Sequence, residues 1–201
     1  MLRIAIIVEG DGEIEAVPVL LRRLAEACGH PGQVDIVNKL RIPANRLIKT
    51  GELERAVELS VRKLGGLGGI FVLLDAEDDC PATRGPELAT RARAARPDFP
   101  IGLCLAYREY EAWFLAAAGS LACQRHLPAT LADHPEPERP RGCKEWLTAR
   151  MPVGRAYQET DDQSAFTATF NLTRARETSS SFDKCWREAE SLFRRLAHAH
   201  S

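Results

Sequence analysis

The sequence lacks several features that mark common classes of protein. Over its 201 residues, no apolar run approaches the roughly 20 residues that a membrane-spanning helix needs, so we expect no membrane partner. The six cysteines are scattered without a C-x-x-C pair, which disfavours a zinc site and is typical of isolated thiols in a reducing compartment. No G-x-x-x-x-G-K-[ST] motif occurs, so any ATPase activity would require a partner. We therefore expect a cytoplasmic protein.

The sequence also has no excess of positive charge. Its formal net charge is −1, although 27% of its residues are charged. A basic field over the whole molecule, which would attract nucleic acid from a distance, is therefore excluded. Contact with nucleic acid would depend on a local group of cations.

Four short apolar runs in the first half of the chain predict strands, at residues 2–8, 34–37, 70–74 and 101–107. Helical patterns separate or follow them, ending near residue 28 and covering residues 52–64, 87–95 and 112–118. Pro18 fits only near the first turn of its helix. Alternation of strands and helices favours an α/β fold with a parallel sheet flanked by helices.

The second half has a different character. Residues 126–142 contain four prolines and many charges, which indicates a loop. Residues 143–150 and 181–197 have helical patterns, and Ser180 with Asp183 is a helix-start signal for the latter. We therefore expect an α/β domain at residues 1–120 and a mainly helical C-terminal region at residues 121–201.

Acidic residues follow three of the four predicted strands. Because ligands bind outside the carboxyl ends of parallel strands, acids on neighbouring strands would meet at one edge of the sheet. A single acid at such a place often lies in a solvated turn, or stabilises the start of a helix by its negative charge. The acids are Glu9 and Glu13 after the first strand, Asp75, Glu77 and Asp79 after the third, and Glu109 and Glu111 after the fourth.

Convergence of these acids would predict a metal site. Carboxylates in close proximity raise one another's pKa, and a divalent cation removes this repulsion. Mg²⁺ and Mn²⁺ prefer such oxygen ligands. Asp75 and Glu77 are two residues apart in an extended segment, so both side chains can face one ion.

Two of these acidic segments resemble a known family of domains. The segment Val8-Glu9-Gly10-Asp11-Gly12-Glu13 resembles the opening Toprim motif, and Leu73-Leu74-Asp75-Ala76-Glu77 resembles the second, Asp-x-Asp, with Glu77 in place of the second Asp. Residues 108–114, 162–163 and 179–182 resemble segments of the DUF4276 family of Toprim-like proteins, related to OLD-type Toprim nucleases.

This resemblance implies a Toprim-like sheet and phosphoryl-transfer chemistry that depends on Mg²⁺ or Mn²⁺. It implies that Glu9 is the general acid/base or a metal ligand, that Asp75 and Glu77 hold the ion, and that Glu13 is a further ligand. Asp79 and Glu111 are candidates for a second metal. The expected activity is a nuclease acting on DNA or RNA, with a role in defence against phage or plasmids.

Three cations are candidates for contacts with substrate phosphate. Arg46 and Lys49 follow the second strand and either form a phosphate-binding patch or lie in an ordinary solvated loop. Arg108 follows the fourth strand and either contacts substrate or pairs with a neighbouring acid.

Two other functions remain alternatives. One is a non-catalytic module that binds metal or nucleotide and regulates a partner ATPase or a nucleic-acid complex, which the replacement at Glu77 and the missing positive charge favour. The other is a small-nucleotide binder that uses the same sheet edge. DNA or RNA is the expected partner. Binding to a partner ATPase and assembly into a homo-oligomer are further alternatives.

Overall fold

The computed structural model describes residues 1–198 and contains a parallel sheet of four strands. The strands β1 (Leu2–Val8), β2 (Val34–Arg41), β3 (Gly69–Asp75) and β4 (Ile101–Ala106) lie in the order β2-β1-β3-β4. Buried apolar side chains point to both faces of β1, β3 and β4, which explains their continuous apolar sequences. The predicted α/β fold with a parallel sheet is confirmed.

The register brings the carboxyl ends of three strands together. Ile4 of β1 pairs with Gly69 of β3, and Asp75 at the end of β3 pairs with Ala106 at the end of β4. Glu9 directly follows β1. The acids predicted after the three strands therefore share one edge of the sheet.

Helices surround the sheet and form most of the C-terminal region. Within residues 1–198, no helix is long and apolar enough to cross a membrane. In chain order the helices are α1 (Asp11–Ala27), α2 (Ala44–Leu47), α3 (Glu52–Leu64), α4 (Pro81–Ala95), α5 (Ala112–Ala116), α6 (Cys143–Thr148), α7 (Glu159–Thr169), α8 (Leu172–Thr178) and α9 (Ser180–His198), and a 3-10 turn (Ala118–Leu121) follows α5.

Two hydrophobic layers cover the two faces of the sheet. Helices α3 and α4 pack on one face, where Ile7 and Val72 are buried. Helices α1, α5, α7, α8 and α9 pack on the other face, where Ile6 and Phe71 are buried. The predicted helical C-terminal region is confirmed and contributes to the same core as the sheet, while the boundary near residue 120 stays a prediction.

Several elements differ from the sequence prediction for identifiable reasons. Strand β2 extends four residues beyond residue 37 to Arg41, because an edge strand is only half buried and includes charged residues. Pro18 lies in the interior of α1, where its ring removes one helical hydrogen bond. Helix α1 therefore begins at Asp11, earlier than a proline in the first turn would place its start. Helix α4 likewise begins at Pro81 and contains Pro86. Helices α7 and α8 lie in a part of the chain for which no helix was predicted.

The start of α9 is fixed by a residue far away in the chain. The Glu138 carboxylate accepts hydrogen bonds from the Ser179 hydroxyl at 2.7 Å, the Ser180 hydroxyl at 2.8 Å and the Ser181 amide at 2.7 Å. Ser179, rather than the predicted Ser180, accepts from the Phe182 amide at 3.1 Å and so caps the helix. These bonds attach the proline-rich loop to α9 and hold the pKa of Glu138 below its ordinary value although burial opposes this.

We expect Glu138→Ala to lower the free energy of unfolding by about 2 kcal/mol, since it removes several hydrogen bonds to a charged acceptor. Thermal unfolding would measure this as a fall in Tm of about 4–8 °C. The matched control is Glu136→Ala, which removes an exposed carboxylate of the same loop that pairs with Arg139. Equal Tm values for the two variants would contradict this role of Glu138.

Candidate functional site

A cavity of about 510 Å³ lies at the carboxyl edge of the sheet. It is formed where β1 and β3 end, by the turns after β3 and β4, and by the start of α6. Acidic and basic side chains alternate around it. Its lining residues are Glu9, Asp75, Glu77, Asp78, Arg108, Glu109, Arg141, Gly142, Lys144 and Glu145.

Buried carboxylates lie at and beneath this cavity. Glu13 is 4% exposed and Glu111 is fully buried, while Glu9 and Asp75 are partly buried. One buried oxygen of each of the three glutamates, Oε2, has no hydrogen-bond partner within residues 1–198. Buried carboxylate oxygens normally have donors, so these three oxygens are free to accept hydrogen bonds from, or to coordinate, a group that enters the cavity.

Burial, with repulsion between the carboxylates, raises the pKa values of these acids. Burial, followed by the charges of Glu13 and Glu77, raises the pKa of Glu9 to about 7. Burial also raises the pKa of Glu111 to about 7, even though Lys144 and Tyr157 favour its charged form. The pKa of Asp75 is raised well above its ordinary value by burial and by the charges of Glu9 and Glu111. Burial raises the pKa of Glu13 as well.

Two side chains from the C-terminal region hold the deepest acids in place. The Gln163 amide nitrogen on α7 donates to Glu13 Oε1 and to Glu111 Oε1, both at 3.2 Å. The Tyr157 hydroxyl donates to Glu111 Oε1 at 2.8 Å. Glu13 and Glu111, almost 100 residues apart in sequence, are thereby linked by one amide group.

The turn between β1 and α1 depends on two glycines. A Cβ atom at Gly10 would lie 2.2 Å from Glu13 Oε2, and one at Gly12 would lie 2.3 Å from Gln163 Oε1. Both distances are shorter than real contacts allow. Gly10 therefore lets the backbone approach the Glu13 carboxylate closely, and Gly12 lets it approach the Gln163 amide.

Lys144 on α6 supplies a positive charge beside the acids. Its Nζ lies 2.6 Å from Glu159 Oε2, and Glu159 Oε1 accepts from the Gly12 amide at 3.3 Å. Burial opposes its charge, but Glu111, Glu159 and Asp75 outweigh this and raise the pKa of Lys144. One ammonium cannot neutralise the whole cluster.

Arg108 and Arg141 flank the mouth of the cavity. Both guanidinium groups pair with the exposed Asp78, at 2.9 Å for Arg108 and 2.8 Å for Arg141. Arg108 and Glu77 adopt left-handed backbone conformations, with φ of 66° and 47°, and the Glu77 amide donates to the Arg108 carbonyl at 3.0 Å. Such conformations are costly for residues other than glycine, and they fix the geometry of the two turns.

The structure brings together some of the residues predicted for the site and separates others. Glu9, Glu13, Asp75 and Glu111 converge, and Glu77 and Arg108 line the same cavity. The other predicted residues do not line it: Asp79 is exposed and lies 3.6 Å from Arg84, Arg46 pairs with Glu52 at 2.6 Å, and Lys49 is exposed. Glu109 caps α6 by accepting from the Gly142 amide at 3.1 Å.

Within residues 1–198, no three acidic, histidine or cysteine side chains form a ready-made set of metal ligands. The raised pKa values of Glu9 and Asp75 reflect burial first and the repulsion between neighbouring carboxylates second. The unpartnered oxygens of Glu9, Glu13 and Glu111 nevertheless match the hard oxygen donors that Mg²⁺ and Mn²⁺ prefer. The chemistry of the donors therefore fits a divalent cation.

Sequence reasoning missed four residues that shape the site. Tyr157, Glu159 and Gln163 lie in or beside α7, which has no clear apolar stripe because Asp162, Gln163 and Thr167 are among its buried residues. Lys144 looks in sequence like an ordinary surface lysine. The only available signal was the segment 162–163, which belongs to the resemblance described above.

We expect the metal-free protein to be more stable at about pH 5 than at about pH 8. The pKa of Glu111 is about 7 in the folded protein against an ordinary value of 4.5, so the folded state binds the proton more tightly. This stabilisation is present below the ordinary value and is lost as pH rises through about 7, with a magnitude on the order of 3 kcal/mol. Thermal unfolding in a chelator at several pH values would measure it.

Glu111→Gln should raise Tm at about pH 8 and flatten its dependence on pH, because it removes one of the buried charges. The control is Glu15→Gln on α1, since Glu15 is exposed and pairs with Lys39. A Glu111→Gln variant with the pH dependence of the native chain would show that this carboxyl is not the one that titrates.

Comparison with known proteins identifies the family. A search of curated proteins found no match, and a search of solved structures found none. A family profile described as "Domain of unknown function (DUF4276)" matches residues 8–189, which include the acid cluster, the strands β2, β3 and β4, and the part of the C-terminal region that contacts the acids. The chain belongs to the DUF4276 family.

Proposed function

We propose that this protein is a phosphoryl-transfer enzyme that depends on Mg²⁺ or Mn²⁺, and that it acts as a nuclease on DNA or RNA. The observation that carries the proposal is a set of three buried carboxylate oxygens, on Glu9, Glu13 and Glu111, that have no hydrogen-bond partner within residues 1–198. These three carboxylates lie close to Asp75, whose pKa their charges raise. A divalent cation at this place would satisfy these oxygens and remove the repulsion that raises their pKa values.

The residues that would hold the cation come from four elements. Glu9 and Asp75 stand at the ends of β1 and β3, Glu13 on α1, and Glu111 at the start of α5. Gln163 orients Glu13 and Glu111 by donating to both, which is the role of outer-shell partners in metal sites. A bound Mg²⁺ or Mn²⁺ would polarise a phosphate oxygen and favour deprotonation of an attacking water.

Arg108 and Arg141 would contact the substrate. Each now pairs with Asp78, a single exposed carboxylate at the mouth of the cavity. Two oxygens of a phosphate group can accept paired hydrogen bonds from a guanidinium group, as a carboxylate does. The two arginines can therefore exchange Asp78 for a backbone phosphate that enters the cavity.

The choice of a nuclease among phosphoryl-transfer enzymes rests on resemblance. The segments 8–13 and 73–77 are similar to Toprim motifs, which occur in nucleases and in other enzymes that act on nucleic acid. Defence against phage or plasmids is the corresponding biological role. The alternative is a non-catalytic module that binds metal or nucleotide and regulates a partner ATPase, which the exposed position of Glu77 favours.

We expect calorimetric titration to show saturable binding of Mn²⁺ and Mg²⁺, and we expect Asp75→Asn to weaken it by at least about tenfold. Asp75→Asn should also leave Tm unchanged or raise it in a chelator, because it removes a charge from a cluster that repels itself. Loss of binding would then not reflect unfolding.

The control for this titration is Glu15→Gln, which changes an exposed acid of α1 outside the cluster. It should bind both ions as tightly as the native chain does. Equal binding by the native chain and by Asp75→Asn would contradict the metal site at this edge of the sheet.

The nuclease activity has its own test. In Mn²⁺, the native chain should cleave single-stranded or double-stranded DNA or RNA, and Glu9→Gln should abolish that cleavage. Binding of metal without cleavage of any of these substrates would assign the chain to the non-catalytic alternative. Cleavage that persists in Glu9→Gln would contradict the catalytic assignment of Glu9.

We expect the double variant Arg108→Ala, Arg141→Ala to bind a labelled single-stranded oligonucleotide more weakly and with a smaller salt dependence. Each lost phosphate contact should reduce the slope of log K against log salt by about 0.7. Fluorescence anisotropy in the Glu9→Gln background, which prevents cleavage, would measure both quantities.

The double variant Arg46→Ala, Lys49→Ala serves as the comparison, because neither residue lines the cavity. We expect its slope to match that of the native chain. A reduced slope for this pair and an unchanged slope for Arg108 and Arg141 would instead support the phosphate-binding patch after the second strand.

A further inference from the structure

Strand β4 forms one edge of the sheet and leaves part of its backbone unpaired. The carbonyl groups of Pro100 and Ala106 accept hydrogen bonds from β3 and from the residue after it. Because backbone groups alternate in direction along a strand, the N–H and C=O groups of Leu103 and Leu105 point away from β3. Within residues 1–198, neither residue forms a hydrogen bond on that side.

These outward groups lie in an unusually buried place for a sheet edge. Leu103 is 2% exposed and Leu105 is 4% exposed. An unpaired backbone group in such a position is costly, and native proteins usually cover or interrupt an open edge. The neighbouring Ile101 carbonyl already accepts from the Arg93 guanidinium at 3.5 Å, which confirms the outward direction of the odd-numbered residues.

A groove of about 510 Å³ runs along this edge. Helix α4 forms one wall and the first turns of α9 form the other, so we call it the β4 groove. Its floor and much of its walls are apolar, and it shares no residue with the acidic cavity. The apolar residues include Pro81, Ala82, Pro86, Ala89, Leu103 and Leu105.

The rim of the β4 groove carries excess positive charge. Arg93, Lys184 and Arg187 line it, and Glu188 is the single acid among its lining residues. Both Arg93 and Lys184 pair with Glu188, at 2.9 Å and 2.6 Å. Arg187 pairs at 2.9 Å with Asp183, which also pairs with Arg176, so each of the two acids is shared by two cations. The charge on this rim is opposite to the charge in the acidic cavity.

We propose that the β4 groove binds an extended segment of a partner protein, in which apolar and acidic residues alternate, as a fifth strand of the sheet. The outward groups of Leu103 and Leu105 would pair with the backbone of that segment. Alternate side chains would enter the apolar groove, and the acidic ones would face Arg93, Lys184 and Arg187.

Charge favours such a partner over a second copy of this chain. Pairing of two β4 strands across a two-fold axis would bring two rims with the same three cations together, and like charges at an interface are unfavourable. The proposal is independent of the nuclease activity, because the groove and the acidic cavity have no residue in common.

Two measurements on the full chain test the proposal. A labelled short peptide of alternating valine and glutamate should bind in a fluorescence anisotropy assay, whereas the alternating valine and lysine peptide should not. Amide hydrogen exchange followed by NMR should become about tenfold slower at Leu103 and Leu105 when the acidic peptide is bound.

Charge reversal provides the matched variants. The double variant Lys184→Glu, Arg187→Glu should weaken binding of the acidic peptide by about tenfold, while Arg195→Glu, an exposed position further along α9, should not change it. Unchanged exchange at Leu103 and Leu105 in saturating peptide would overturn the proposal, as would equal binding by the charge-reversed variant. Protection of these amides that depends on protein concentration, without peptide, would also overturn it and assign the groove to a second copy.

Discussion

Burial of several carboxylates at one sheet edge is the constraint around which the rest of the structure is arranged. Burial and repulsion both oppose the charges of Glu9, Glu13, Asp75 and Glu111 at this edge. The parallel register of β1 and β3 forces two of them together, and α1 and α5 add the other two. Carboxyl groups with strongly raised pKa values beside a cavity are typical of functional sites.

The C-terminal region makes this cluster possible. Gln163 and Tyr157 reach the deepest carboxylates, Lys144 brings the nearest ammonium, and Glu138 ties the proline-rich loop to α9. Stability and function are thus connected, since the helices that complete the hydrophobic core also position the acids. The first turns of helix α9, whose start Glu138 fixes, border the β4 groove.

Different parts of this arrangement were accessible from the sequence to different degrees. Buried parallel strands are continuous apolar runs, so β1, β3 and β4 and the acids that follow them could be predicted closely. The cation contacts could not, because Arg141 lies in a loop without periodicity and Lys144, although its helix was predicted, looks like a surface lysine. Helix α7 was missed since polar side chains occupy its buried face: Gln163 contacts the acids, Asp162 pairs with Arg125, and Thr167 hydrogen-bonds to Tyr110. Local patterns thus predicted the sheet edge, while long-range contacts determined which acids are buried.

The most direct test of the metal site is the anomalous scattering of Mn²⁺ in a crystal of this protein soaked with the ion. The account predicts a peak in the acidic cavity within about 2.0–2.6 Å of carboxylate oxygens of Glu9 and Asp75, with Glu13 or Glu111 completing the protein ligands. It also predicts that the peak is absent from a crystal of the Asp75→Asn variant. A saturating soak that leaves the cavity without a peak would contradict it.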